Sequence, residues 1–343
     1  MSDAARVEPS GRHESNLHDG SAPRAGHRSS ATIEAIAAAI PWLRTNDRGA
    51  LARTCRRLRD AVAADDLLFT RDISRGAEPR AIPLTRPGKD AHLRPPPHRY
   101  VRTSVARLGN GALVDPPDGP GCDCSAPCGP ETACPCLAGQ STAQPSLAPS
   151  ILECGPRCAC AAHGCPAALS SRGAQRPCEL RWTGDGRGWG LFATADVPPH
   201  ALVLEYAGEI LSTGEARRRL AQYDEARMGH ALLVVREVLP SGVTALRTNV
   251  DATRVGNAAR FVNHACGSAA TCVLGVVRRR GSLLPRVGVF AGAGGVGAGQ
   301  ELTFSYCFGA EGEADGPEPE RGDRVRCLCG APDCMGFLPR SEA

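Results

Sequence analysis

Long apolar runs, aromatic side chains and net charge are all in short supply in this sequence, and each shortage excludes something. No stretch of eighteen or more apolar residues occurs, so nothing reads as a membrane-spanning helix. Met1 to Ser30 is polar and lacks the apolar segment of a secretory signal, so an intracellular protein without membrane contact is expected. A net charge of +4 over 343 residues is too small to mark a nucleic-acid binder, because a footprint on DNA needs Lys and Arg clustered on one face. Direct sequence-specific nucleic-acid binding is therefore not expected. Aromatics make up 4% of the chain while 39 Gly and 28 Pro interrupt it, so the ordered part should be rich in loops.

Cysteine, by contrast, is abundant. Inside a reducing cell the 17 cysteines are better used on metal than on disulfides, though a redox-sensitive or disulfide-linked loop is the alternative. Their spacing is uneven. Cys122, Cys124, Cys128, Cys134 and Cys136 form one group, and Cys154, Cys158, Cys160 and Cys165 a second. Zinc takes four tetrahedral ligands, so nine thiolates fill no whole number of separate sites. Three zinc ions need about twelve ligand positions, which nine thiolates reach when three of them bridge. The C-x-C steps favour neighbouring ions over one wrapped ion, and no C-x2-C ribbon pair occurs. A third group, Cys327, Cys329 and Cys334, needs a fourth ligand, for which Cys266 is the candidate. Cys55, Cys178, Cys272 and Cys307 read as small hydrophobes and His163 as a surface residue.

Residues 1–30 have the composition of a disordered tail. In 31–75, apolar residues from Ile33 to Val62 recur at helical spacing, and Asn46 to Gly49 reads as the turn between two helices. Residues 76–120 are Pro- and Arg-rich, as in an extended connector. The cysteine-dense block occupies 121–180. Across 181–310, short apolar runs such as 201–206, 231–235, 271–277 and 287–290 alternate with Gly turns and read as buried strands. Glu215 to Leu220 reads as an exposed helix and Arg278 to Arg280 as a strand end or turn. An acidic linker at 311–325 leads to the last cysteines at 326–343.

Four segments then fall into order: Gly188-Trp189-Gly190-Leu191-Phe192, Glu205-Tyr206-Ala207-Gly208-Glu209, Gly256 to Cys266 with Asn263-His264 near its end, and Glu301-Leu302-Thr303-Phe304-Ser305-Tyr306. Together with both cysteine arrays, this order resembles the SET-domain histone lysine methyltransferases of the suppressor-of-variegation class, over about residues 121–340. Ile40-Pro41-Trp42-Leu43, the F-box-like stretch 51–58, Leu283 to Arg286 and the Phe304-Ser305-Tyr306 variant resemble the plant SUVR subgroup. The Gly-rich segment does not fit G-x-G-x-x-G, so a dinucleotide site is unsupported.

The resemblance implies a mainly β SET fold of short strands with knot-like C-terminal threading. A pre-SET zinc cluster and a post-SET zinc site flank it, and a small helical segment precedes it. It implies S-adenosylmethionine as methyl donor, with Gly188, Trp189, Gly190, Asn263, His264, Tyr306 and Phe337 around it. Tyr306 is the expected catalytic residue, and Phe304 and Tyr206 line the lysine channel. Arg260 and Glu301 are expected as supports. The implied substrate is the histone H3 tail in the nucleosome, at lysine 9, with di- or trimethylation because Phe304 leaves room; the implied place is nuclear chromatin. A protein partner for the N-terminal helical segment is a further expectation. The family pattern is departed from at Ala231, where many relatives carry a second tyrosine, at Ala265, at Gly267 to Ala270 and at Ser305. These departures keep a second reading open, a SET-fold chromatin-binding module with weak catalysis or a methyltransferase of another protein.

Overall fold

The computed structural model describes residues 30–43, 45–108, 110–129, 131–138, 151–238, 245–282, 284–306 and 325–339. The expected tail at 1–30 (save Ser30), the acidic linker at 311–325 (save Val325) and Cys307 lie outside them. Three helices open the chain: α1 (Ser30–Ala39), α2 (Thr45–Ala52) and α3 (Arg56–Arg71). The turn expected at Asn46 to Gly49 is instead part of α2. Arg48 explains the difference: it is buried, donates to the Ile40 carbonyl at 2.5 Å, and pairs with Asp65 at 2.7 Å and Asp66 at 2.5 Å on α3. Polar residues that favour a turn locally are held helical by this tertiary ion pair. The break falls at Thr54 and Cys55, ahead of the longest helix.

Fifteen strands, most of them short, follow among the described residues. The first four are β1 (Leu84–Thr85), β2 (Arg99–Tyr100), β3 (Val105–Arg107) and β4 (Leu113–Val114). Next come β5 (Ile151–Glu153), β6 (Cys178–Trp182), β7 (Trp189–Ala193), β8 (Leu202–Glu205) and β9 (Gly208–Leu211). After helix α4 (Thr213–Glu225) come β10 (Leu232–Val238), β11 (Ala245–Gly256), β12 (Asn263–His264), β13 (Cys272–Arg279), β14 (Arg286–Ala291) and β15 (Thr303–Phe304). They form a sheet in the order β1-β6-β7, a larger one running β10-β11-β9-β3-β4 with β2 beside β11, a four-stranded sheet β5-β13-β14-β8, and the pair β12-β15. The fold is mainly β, as the resemblance implied.

The stretch 76–120 is extended between its prolines but is no mere spacer. β1, β2 and β3 add in parallel to β6, β11 and β9. Extended backbone between prolines still carries N–H and C=O groups, and pairing at sheet edges satisfies them. Ile73, Ile82 and Leu84 are buried in the same core as Leu180, Leu191, Val203 and Val289. The polypeptide before the cysteine block is thus part of the main core.

Helix α4 corrects a second expectation. Ser212 caps it by accepting from the Glu215 amide, and Ala216, Leu220 and Tyr223 are buried. Arg219, read as exposed, turns inward to Glu209 at 3.0 Å and Asp251 at 2.7 Å. Burial raises the Asp251 pKa, but hydrogen bonds from Thr253, Arg219 and Tyr223 outweigh it and hold the carboxyl below its usual range. The helix is pinned over β9 and β11 by this ion cluster.

Candidate active site and zinc centres

The nine cysteines of the dense block converge, and all but Cys124 are buried. Cys122 Sγ lies 3.6 Å from Cys160 Sγ, Cys136 Sγ 3.6 Å from Cys158 Sγ, Cys134 Sγ 3.9 Å from Cys154 Sγ, and Cys122 Sγ 4.0 Å from Cys128 Sγ. A zinc ion with Zn–S bonds of about 2.3 Å separates its sulfurs by about 3.8 Å, the edge of the tetrahedron. A disulfide would bring two sulfurs to about 2.05 Å. The described cysteines are all free, so the disulfide alternative finds no pair.

Three quartets can each surround one ion: Cys122, Cys124, Cys128 and Cys134; Cys122, Cys136, Cys154 and Cys158; and Cys122, Cys128, Cys154 and Cys160. The quartets overlap, with Cys122 in all three and Cys128 and Cys154 in two each, so Cys122 is shared once more than a thiolate bridging two ions would be. Cys165 falls outside the quartets but accepts from the Cys128 amide at 3.3 Å. Burial, with neighbouring sulfurs such as Cys122 adding to it, raises several thiols, Cys160 to about 12, which is the state a bound divalent cation would reverse.

The C-terminal cysteines meet Cys266, the candidate for the fourth ligand. Cys266, Cys327, Cys329 and Cys334 gather within one ion's reach, with Cys266 Sγ 3.8 Å from Cys327 Sγ and 4.0 Å from Cys334 Sγ. This carries the C-terminal tail back to the core, where Leu328 lies against Gly186 of the glycine loop. Phe337 pairs through its backbone with Arg326 inside that tail.

His264 links this centre to Tyr306. Its Nε2 is 3.1 Å from Cys266 Sγ, and its Nδ1 accepts from the Tyr306 amide at 3.1 Å. With Nδ1 accepting, the ring is neutral with its proton on Nε2, and burial lowers its pKa in the same direction. The imidazole is therefore occupied on both nitrogens. Sequence reasoning grouped His264 with the donor ligands and missed this link, for which only the two-residue spacing to Cys266 was a signal.

The glycine segment packs on the other side. Asn263 Nδ2 donates to the Trp189 carbonyl at 3.2 Å and to Glu301 Oε1 at 2.8 Å, and Arg187 Nη1 donates to Glu301 Oε2 at 2.6 Å. Glu301 thus joins the loop, β7 and Asn263. Both amide hydrogens of Asn263 face protein, which leaves Oδ1 as the atom it can offer elsewhere. A Cβ at Gly190 would lie 2.5 Å from Glu301 Oε1 and 3.2 Å from Asn263 Nδ2, while Gly188 has nothing nearer than 3.8 Å but a φ of +84°. The two glycines are required for different reasons, close approach at one and left-handed backbone at the other. The Trp189 side chain is buried against Trp182, with ring centroids 5.3 Å apart, so its backbone is what the loop presents.

Three aromatic rings close the site. Phe304 stands 6.2 Å from Tyr206 in an edge contact and 5.2 Å from Tyr306. Tyr206 is buried and donates to the Ala231 carbonyl at 2.9 Å, so the position lacking a tyrosine side chain still anchors one through its backbone. Tyr306 donates to the Val262 carbonyl at 2.9 Å and keeps 38% of its surface open. Crowding around its hydroxyl raises the phenol pKa, with the negative charge of Glu301 adding to the effect. A parallel pairing of β12 with β15 sets Asn263 beside Thr303 and His264 beside Phe304. Arg260, expected as a support, donates to the Ala252 and Thr253 carbonyls at 2.8 and 3.0 Å.

A half-open phenol, a glycine cradle and a cysteine-held tail around two paired short strands define a SET-class site, and the SET domain model matches residues 188–307. The chain is 42% identical over 193 residues to the histone-lysine N-methyltransferase SUVR3 of Arabidopsis thaliana, a match covering 54% of this chain and 51% of that protein. It is 31% identical over 285 residues to the histone-lysine N-methyltransferase SETMAR of Mus musculus, covering 78% of this chain and 88% of that one. The crystal structure of SUVH6 from Arabidopsis thaliana in complex with SAM superposes with a TM-score of 0.59 at 25% identity, over 79% of this chain and 56% of that one. The chain belongs to the SET-domain family of histone-lysine N-methyltransferases. It spans about half the length of SUVR3.

Proposed function

We propose that this chain transfers methyl groups from S-adenosylmethionine to a lysine of histone H3, with lysine 9 as the target, in nuclear chromatin silencing. The observation that carries this reading is the convergence of Tyr306, Asn263 and the Gly188 to Gly190 cradle on β12 and β15. S-adenosylmethionine supplies a methyl group on a sulfonium, ready for in-line transfer to an amine. Gly190 keeps the cradle open, and Asn263, with its amide hydrogens taken by Trp189 and Glu301, would offer Oδ1 to the donor. Tyr306, Phe304 and Tyr206 form the walls through which the lysine enters. A free lysine is protonated at neutral pH, and stripping that proton costs on the order of 4 kcal/mol. An aromatic channel disfavours the charged amine and lowers this cost. Phe304 contributes no hydroxyl to hold a water in the space a second or third methyl needs, which favours di- or trimethylation.

Four zinc ions complete the reading, three in the nine-cysteine cluster as scaffold and one at Cys266, Cys327, Cys329 and Cys334. Through His264 the last site also fixes Tyr306. Labelled S-adenosylmethionine with recombinant histone H3 tests the proposal: radiolabel should enter the H3 tail. Donor binding with no transfer to H3 would favour a SET-fold chromatin-binding module, a reading supported by the missing tyrosine at Ala231, and transfer only to other proteins would point to a non-histone substrate.

A further inference from the structure

The modest net charge conceals a strong segregation. Residues 31–107 hold 15 Lys and Arg against 8 Asp and Glu, whereas residues 108–343 hold 21 against 24. The surplus has an address. Arg53, in the turn before α3, and Arg56, Arg57 and Arg59, in its first turn, are all exposed, and among the described residues none of their guanidinium groups has an acidic partner. The basic residues that build the fold behave otherwise: Arg48, Arg75, Arg219, Arg279 and Arg286 are each tied to a carboxylate.

These four arginines do nothing visible for folding. The first turn of α3 contains no acidic residue, and its N-cap Cys55 makes no side-chain capping bond. Cations there oppose the helix dipole, so helix stability gains nothing from them. Four guanidiniums within seven residues are the clustered footprint that composition alone did not reveal.

We propose that the surface formed by Arg53, Arg56, Arg57 and Arg59 docks on the phosphate backbone of DNA, without reading sequence. Charge complementarity selects this partner: planar guanidiniums pair with phosphate oxygens bidentately, and such contacts carry no sequence information. The surface would hold the enzyme on nucleosomal DNA while the channel engages a histone tail. This extends the chromatin reading above and is tested apart from it, because free duplex DNA involves neither methyl donor nor lysine.

The test uses the full chain and a fluorescein-labelled 30-bp duplex, with affinity measured by anisotropy from 25 to 250 mM salt. Each phosphate contact contributes about 0.9 to the slope of log affinity against log salt. Replacing Arg53, Arg56, Arg57 and Arg59 together by Gln should reduce that slope by about 3 to 4. The Lys quadruple variant should keep most of it, and Arg217→Gln with Arg218→Gln on α4 should leave it unchanged. Methylation of an isolated H3 tail peptide by the Gln variant should equal wild type; methylation of nucleosomes should fall. If wild type binds no DNA at low salt, or the Gln variant keeps the wild-type slope, the proposal is wrong. Loss of nucleosome binding with DNA binding intact would also overturn it, in favour of an acidic histone surface.

Discussion

Replacing Gly190 by alanine separates the donor cradle from the rest of the fold. The new Cβ would stand 2.5 Å from Glu301 Oε1, 3.0 Å from Phe192 Cε2 and 3.2 Å from Asn263 Nδ2. None of these can retreat freely. Glu301 is held by Arg187 and Asn263, and Phe192 lies under the Arg181 guanidinium at 4.2 Å. Overpacking a rigid contact of this kind costs about 1 to 3 kcal/mol. The strain falls on the side chain assigned to the donor, so most of it should appear as lost affinity, about 5- to 150-fold. Gly188→Ala is the control. It meets no atom nearer than 3.8 Å but requires a left-handed alanine, at about 1 to 2 kcal/mol. That cost should lower thermal stability more than affinity. Calorimetric titration with S-adenosylhomocysteine and thermal unfolding of both variants give the comparison. Donor affinity for Gly190→Ala within twofold of wild type would refute the assignment of this cradle.

Three further outcomes follow from the same contacts. His98, packed against Phe261 and Tyr100, is pushed down to about 3 by burial and by the Arg260 guanidinium. The folded state keeps it neutral while the unfolded chain takes up a proton below about pH 6.5, so stability should fall by about 2 kcal/mol between pH 7 and pH 5. Urea unfolding at the two pH values should show this loss, and His98→Leu should largely abolish it; an unchanged pH dependence in that variant would contradict it. Arg48→Ala should cost about 2 kcal/mol, because it removes the buried bonds to Asp65 and the Ile40 carbonyl while leaving Asp65 to Arg75 and Asp66 to Arg94. Since Ile73 and Ile82 lie in the main core, one cooperative transition should shift, and an unchanged melt of the core would mean that the helices are independent. In native mass spectrometry Cys334→Ser should leave the nine-cysteine cluster loaded and remove one zinc ion of the four proposed, with methyl transfer lost as Tyr306 loosens.

Legibility differed by kind of signal. Buried strands at 202–205, 272–279 and 286–291 were readable because each is a short apolar run between glycine turns. The four ligands of the tail centre were readable as a count of three that lacked one, and Cys266 was the cysteine beside the conspicuous Asn263-His264 pair. What stayed hidden depended on partners distant in sequence. Little local marks Arg48 as buried or Arg219 as turned inward, since the buried Asp65 and Asp251 they meet lie 17 and 32 residues away. The strands at 84–85, 99–100 and 105–107 are too short to show a period, and their prolines suggested a spacer. Overlap among the zinc quartets is likewise a matter of which sulfurs meet, which spacing restricts but does not settle.

The role proposed for Tyr306 and the cradle beside it is to move methyl groups onto an H3 lysine. Intact-mass analysis of an H3 tail peptide incubated with S-adenosylmethionine tests it most directly, run with wild type and with Tyr306→Phe. Wild type should show additions in steps of one methyl group, reaching at least two on lysine 9. Tyr306→Phe should lose most of this turnover while retaining its zinc and its affinity for S-adenosylhomocysteine. An unmodified peptide from zinc-loaded, donor-binding wild type, or equal turnover in the two proteins, would contradict it.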